Sequence, residues 1–279
     1  MSVYEEISQR IKEADGVLIG ASNGLSIAEG YHLFADDGWF RENMGDFRKK
    51  YGIRCILQGM TIPLSSEGER WAYYSRVIKA KSLQSEPTQI MKDMYELVKG
   101  KDYFVVTSNA EDHFVPAGFA EERVFEMEGK LTEMRCASGC CEELYSDKEV
   151  VLQMADAEVD GSVPSDLCPK CPRCGGSMIV NYGDASSFQG EKSWQEKADR
   201  YQAFINRMHG KKLVILEFGV GWRNQLIKAP FMRLTATEPY ARYVTFNKGE
   251  IYIPDEIREK SIGVDQDIAV ALREIVKER

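Results

Sequence analysis

Apolar residues along this chain fall into two alternating patterns. Short uninterrupted runs at 17–20 (VLIG), 103–107 (YFVVT), 213–217 (LVILE) and 242–247 (RYVTFN) have the length and continuity of strands buried on both faces. Between the runs, apolar positions recur every three or four residues, the spacing of one helix face. Val3, Ile7 and Ile11 mark an N-terminal helix, Trp71, Tyr74 and Ile78 a second, and Ile90, Met94 and Leu97 a third. Trp194, Ala198, Tyr201, Ile205 and Met208 form a longer stripe, and Ile268, Leu272 and Ile275 a C-terminal helix. Buried strands alternating with helices predict an α/β fold with a parallel sheet. From about 129 to 180 the alternation lapses into charged, small and cysteine residues. This stretch is read as a small inserted module, which leaves 1–128 and 181–279 as the main domain.

Composition adds exclusions. With 279 residues, 43% of them hydrophobic, the chain can bury a full core and is too apolar for disorder. Its 36 basic and 44 acidic residues give a net charge of −8, which argues against general nucleic-acid affinity while leaving room for a local basic pocket. No window of about 18 apolar residues predicts a membrane span. The charged, amphipathic start MSVYEEISQRIKEADG reads as a mature helix and not as a signal peptide. A cytoplasmic location is expected, where cysteines stay reduced.

Six of the seven cysteines lie between 136 and 174. Cys136 and Cys140 are spaced C-x3-C, and Cys171 and Cys174 are spaced C-x2-C within CPRCGG. Two such pairs about 30 residues apart suit a structural tetrahedral zinc site that staples a module too small to hold a core of its own. Cys136, Cys140, Cys171 and Cys174 are the expected ligands, with Cys141 and Cys168 as spare thiols or alternates. Cys55 reads as a buried core residue.

Polar and glycine residues gather at predicted strand ends, where open α/β sheets bind ligands. The turn ASNGLS follows the first strand and offers glycine and free helix N–H groups to a phosphate. TSNAEDHF follows YFVVT and brings Asn109, Glu111, Asp112 and His113 to the same edge. Asn109 with a carboxylate suits a carboxamide; each residue also suits an ordinary helix cap. Gly219, Val220 and Gly221 in LEFGVGWRN, Asn247 in FNKGE and Asp265 in IGVDQDI complete the series.

Taken in order, these motifs resemble the sirtuins, over nearly the whole chain. Gly20 and Ala21, then Ser22-Asn23-Gly24-Leu25-Ser26, match the sirtuin G-A-G-x-S turn, and Gly30 and Phe34 match two positions of G-I-P-x-F-R. Thr107-Ser108-Asn109-Ala110-Glu111 matches T-Q-N-I-D, with Asp112 as the acidic residue if the loop slips by one. The resemblance implies a Rossmann-like NAD domain, a zinc module, and NAD contacts from Gly20, Ala21, Ser22, Gly24, Ser26, Phe34, Asn109, Gly219, Val220, Gly221, Asn247 and Asp265. Where sirtuins carry a His-Gly base, this chain has Glu128-Gly129, and none of His32, His113 and His209 takes that place. GDFRKKYG at 45–52, ERWAYYS at 69–75 and the C-x3-C pair are similar to the macrodomain-linked bacterial sirtuins. That class implies ADP-ribosyl transfer to a lipoyl-carrier protein related to the glycine cleavage H protein, beside a macrodomain hydrolase partner. That class typically carries glutamine in place of the histidine, and Glu128 departs from it. The resemblance implies that Asn109 and an adjacent carboxylate, Glu111 by direct register, orient nicotinamide. A carboxylate at Glu128 is suited by its chemistry to hold ribose hydroxyls and orient the acceptor's nucleophile. A slow deacylase, plain NAD hydrolysis and a non-catalytic NAD or ADP-ribose binder are the competing readings.

Overall fold

The computed structural model of the protein describes residues 1–84 and 86–279. Nine strands are present among them: β1 (Gly16–Ala21), β2 (Asp102–Thr107), β3 (Val124–Glu126), β4 (Gly129–Cys136), β5 (Tyr145–Ser146), β6 (Met178–Tyr182), β7 (Leu213–Phe218), β8 (Arg242–Phe246) and β9 (Ser261–Val264). Six pair in parallel in the order β3-β2-β1-β7-β8-β9. Counted within this sheet alone, that is the Rossmann order 3-2-1-4-5-6, whose direction reverses between β1 and β7. Both faces are covered, so strand residues are apolar without alternation. Val17, Ile19 and Ala21 of β1 enter the core under helices Val3–Glu13, Gln89–Val98 and Ile268–Lys277. Leu18 points the other way, into the core under helices Lys192–Met208 and Gln225–Thr237. Gly20 is required on that second face, because a Cβ there would lie 2.4 Å from the Phe231 ring.

The four apolar runs form strands at the expected places. β3 and β9 escape the sequence pattern because they have three and four residues and depend on neighbours for pairing.

The cysteine segment forms an antiparallel sheet, β5-β4-β6, beside helix Lys148–Ala157. It does not pack by itself. Phe40, Phe47, Trp71, Tyr73 and Val77, all outside 129–180, share one core with Leu131, Val151, Met154 and Val180. Arg76 joins the two stretches, pairing with Asp46 at 2.7 Å and with Glu158 through its Nε at 2.8 Å. Among the described residues no helix is long and apolar enough to cross a membrane.

Candidate active site

The edge formed by the carboxyl ends of β1, β2 and β7 is held together by a polar knot. Asn224 Nδ2 donates to both Ser22 Oγ and Ser108 Oγ at 3.0 Å, and the two hydroxyls are 2.9 Å apart. Gly24 faces Gly219 backbone to backbone, with the Gly24 N–H donating to the Gly219 carbonyl at 3.0 Å. A Cβ on Gly24 would lie 2.5 Å from Gly219 Cα, and Gly219 has a φ of +60°. Both positions therefore need glycine.

Beside this knot opens a cleft of about 210 Å³. Asn23, Phe34, Asn109, Glu111 and Glu128 line it with Tyr182, and Leu33, Leu57, Met60 and Leu131 form its apolar wall. Four residues singled out in the sequence thus meet in one cavity. Asn109 is buried; its Nδ2 donates to the Ser22 carbonyl at 3.2 Å, and its backbone N–H donates to Thr107 Oγ1 at 2.9 Å. That leaves Asn109 Oδ1 buried with no hydrogen-bond partner among the described residues. An unmet buried acceptor is costly, and a carboxamide N–H is the donor that would satisfy it.

The two carboxylates after Asn109 diverge. Glu111 is buried against the cleft, where it accepts the Ser26 hydroxyl. Burial pushes its carboxyl pKa upward. Asp112, at φ +62°, turns to Thr132 Oγ1 at 2.9 Å, Lys130 at 3.3 Å and Lys148 at 3.4 Å. Glu128 is half-buried in the cleft wall. Burial, with a smaller push from Asp184, raises its pKa to about 7, so it changes charge where a neutral-pH general base must.

No histidine lines the cleft among the described residues. His209 is 80% exposed beside Glu238, and His32 lies in the loop before Phe34. His113 stands behind Glu111, its Nδ1 at 3.1 Å from Glu29 and its Nε2 at 2.8 Å from the Lys81 carbonyl. Burial alone would lower its pKa, but the Glu29 hydrogen bond and the charges of Glu111 and Glu29 raise it to about 9.

The remaining expected residues lie along the same sheet edge, outside this cleft. Gly20 and Ala21 are buried in β1, and Val220 is buried after β7. Gly221 lies against Glu250. Asn247 Nδ2 donates to the Glu250 carbonyl at 3.1 Å, and Asp265 accepts the Gly249 N–H at 2.6 Å, so both shape the loop after β8. Asn224 and Tyr182 were missed. Asn224 closes the GVGWRN motif, whereas Tyr182 arrives from an antiparallel strand with no motif around it.

The four expected metal ligands converge. Their Sγ atoms all lie within 4.8 Å of one another, with Cys136 to Cys174 at 3.6 Å and Cys140 to Cys171 at 3.5 Å. Zinc bonded to four sulfurs at about 2.3 Å needs edges of roughly 3.8 Å, so the cage has the right size. Cys141 and Cys168 stay outside the set.

No protein-family model matches the chain. Over 270 residues it is 32% identical to the protein ADP-ribosyltransferase of Staphylococcus aureus strain Mu50, an alignment covering 96% of this chain and 85% of that one. It is 28% identical to a probable bifunctional ADP-ribose hydrolase/ADP-ribosyltransferase of Fusarium oxysporum f. sp. cubense, over 76% of this chain and 36% of that protein. Among solved structures, a Sir2 homologue in complex with ADP-ribose superposes with a TM-score of 0.64 at 15% identity, covering 100% of this chain and 96% of that one. A structure of Sir2 enzymes described for their mechanism and regulation gives 0.61 at 17% identity, covering 99% and 96%. The Sir2 likeness gives the fold, and the staphylococcal match across nearly the full length gives the kinship: this chain belongs to the sirtuin-fold protein ADP-ribosyltransferases.

Proposed function

We propose that the protein cleaves NAD to nicotinamide and transfers ADP-ribose to a protein acceptor. The observation that carries this reading is the buried, unpartnered Oδ1 of Asn109 in a cleft shared with Glu111 and Glu128. Asn109 is locked by Ser22 and Thr107, so its free oxygen is pre-aimed at the carboxamide N–H of nicotinamide. Glu111, fixed by Ser26, supplies the neighbouring acceptor. The apolar wall of Leu33, Leu57, Met60 and Leu131 limits water at the ribose. Glu128 takes the proton of the acceptor's nucleophile as that atom bonds to the ribose carbon and nicotinamide leaves. The strand ends carrying Gly219, Val220, Gly221, Asn247 and Asp265 would receive the rest of the dinucleotide.

The second reading is deacylation. It is favoured by the near-neutral pKa of Glu128, which lets a carboxylate do the work of the absent histidine. Cys136, Cys140, Cys171 and Cys174 would hold one structural zinc ion, which staples the module and takes no part in transfer. One zinc per chain by elemental analysis is the expected result; a metal-free, fully folded protein contradicts it. Residues 129–180 form the zinc module in this reading, and its reduced thiols suit a cytoplasmic setting. The family resemblance supports a lipoylated carrier as acceptor and a macrodomain hydrolase as functional partner.

Intact-mass analysis of a lipoylated carrier protein after incubation with NAD tests the proposal. A gain of one ADP-ribose unit that Asn109→Ala abolishes is the expected outcome. Loss of an acyl mass from an acylated substrate would select deacylation. Absence of nicotinamide release under all conditions would leave only a binding role and refute both.

A further inference from the structure

Tyr182 lines a second cavity besides the cleft. This one measures about 180 Å³, and Arg70, Trp71, Tyr74, Ile179 and Val180 form the rest of its lining. The walls are aromatic and aliphatic, interrupted by two donors. The Nε1 of Trp71 and the Nε of Arg70 are both buried without a hydrogen-bond partner among the described residues. Trp71 is 1% exposed, so bulk water does not serve it. A buried donor left unpaired destabilises the fold unless a ligand meets it.

The protein supplies little to offset this. Glu67 Oε1 forms an ion pair with Arg70 Nη2 at 4.0 Å but accepts no hydrogen bond, while Lys170 holds Oε2 at 2.9 Å, so the Arg70 Nε and Trp71 Nε1 donors stay unmet. The Tyr74 hydroxyl is directed to the Met60 carbonyl at 3.3 Å. A guanidinium and an indole N–H in an apolar pocket call for an acceptor of negative charge on an apolar stem. A carboxylate has two oxygens to share between them, and a charge-assisted bond to arginine is the stronger kind.

We propose that this cavity is an acceptor subsite for a group with an aliphatic stem and a terminal carboxylate, held by Arg70 and Trp71 and entering past Tyr182. The inference rests on the transfer reading in one respect: because Tyr182 lines both cavities, a group anchored here belongs to a molecule whose nucleophile reaches Glu128. An aliphatic amine would meet the guanidinium charge, and an alcohol would forgo the charge-assisted bond to Arg70.

The test is ligand-observed NMR titration of the intact protein with hexanoate, hexylammonium and hexanol. Hexanoate is expected to bind at least tenfold more tightly than either of the others. Arg70→Met should weaken hexanoate at least tenfold without lowering the melting temperature, because Arg70 is partly exposed. Ile179→Trp, which fills the cavity and keeps Arg70, should abolish binding. Equal affinity for hexanoate and hexanol overturns the proposal, as does unchanged hexanoate binding in both variants or none in the wild type. Nicotinamide release by the wild type without acceptor is measured separately. Its failure would sink the transfer reading and leave the binding result standing.

Discussion

The carboxyl group of Glu128 gives the sharpest test of the cleft. With a pKa of about 7, roughly one molecule in eleven carries the ionised form at pH 6 and about ten in eleven at pH 8. If ionised Glu128 is the base, acceptor-dependent turnover under limiting NAD rises about tenfold across that interval. An ordinary glutamate, near 4.3, is almost wholly ionised throughout and gives a flat profile. Burial is the main cause of the shift, and the exposed Asp184 adds to it. Asp184→Asn should therefore move the rising limb toward acid by a fraction of a pH unit. Glu128→Gln should remove the limb and lower the plateau by about 10²–10⁴-fold, the range for loss of a general base. The assay is ADP-ribosylated acceptor quantified by mass spectrometry from pH 5.5 to 9, with nicotinamide release followed in parallel. A flat wild-type profile, or an unaltered limb in Glu128→Gln, would refute the assignment.

Asn109→Ala should reduce nicotinamide release at least a hundredfold, since a pre-aimed polar group in a dry site commonly carries that much; a fall of less than fivefold removes it from the site. Gly24→Ala should cost about 3 kcal/mol, or roughly 6–12 °C in melting temperature, because the new methyl meets the Gly219 backbone; calorimetry showing no change would contradict that contact. His113 is stabilising while protonated in the fold. Its contribution, up to roughly 3 kcal/mol, is complete below about pH 6.5 and is lost as pH climbs through about 9. Denaturant titrations of His113→Gln should lack the decline in stability seen in the wild type over that interval, and parallel declines would place its cause elsewhere.

Much of this site was legible because strand ends in a parallel sheet share one edge. Reading ASNGLS, TSNAEDHF and GVGWRN as strand-terminal motifs was enough to bring Ser22, Asn109 and Gly219 together. Continuous apolar runs disclosed four central strands, yet Val124–Glu126 and Ser261–Val264 were too short to leave a pattern. The choice between Glu111 and Asp112 depended on a positive φ at Asp112 and on lysines 18 and 36 residues onward, which spacing cannot express. The pKa of Glu128 depends on what buries it, and nothing in its local sequence conveys that. Tyr182 was hidden for a similar reason, since an antiparallel partner brings it back beside Gly129.

Strand β4 carries a consequence of its own. It begins one residue after Glu128 and ends at Cys136, with its first residue paired to Tyr182 and the Glu128 carbonyl accepting the Gly183 N–H at 3.1 Å. One ribbon, roughly 25 Å long at about 3.3 Å per residue, has a thiol at its tip and the candidate base at its root. With the proposed zinc bound, the cysteine cage would act as a distant buttress for the cleft: slackening the tip would let the root drift, and acceptor turnover should decay on chelation before the parallel sheet loses any of its order.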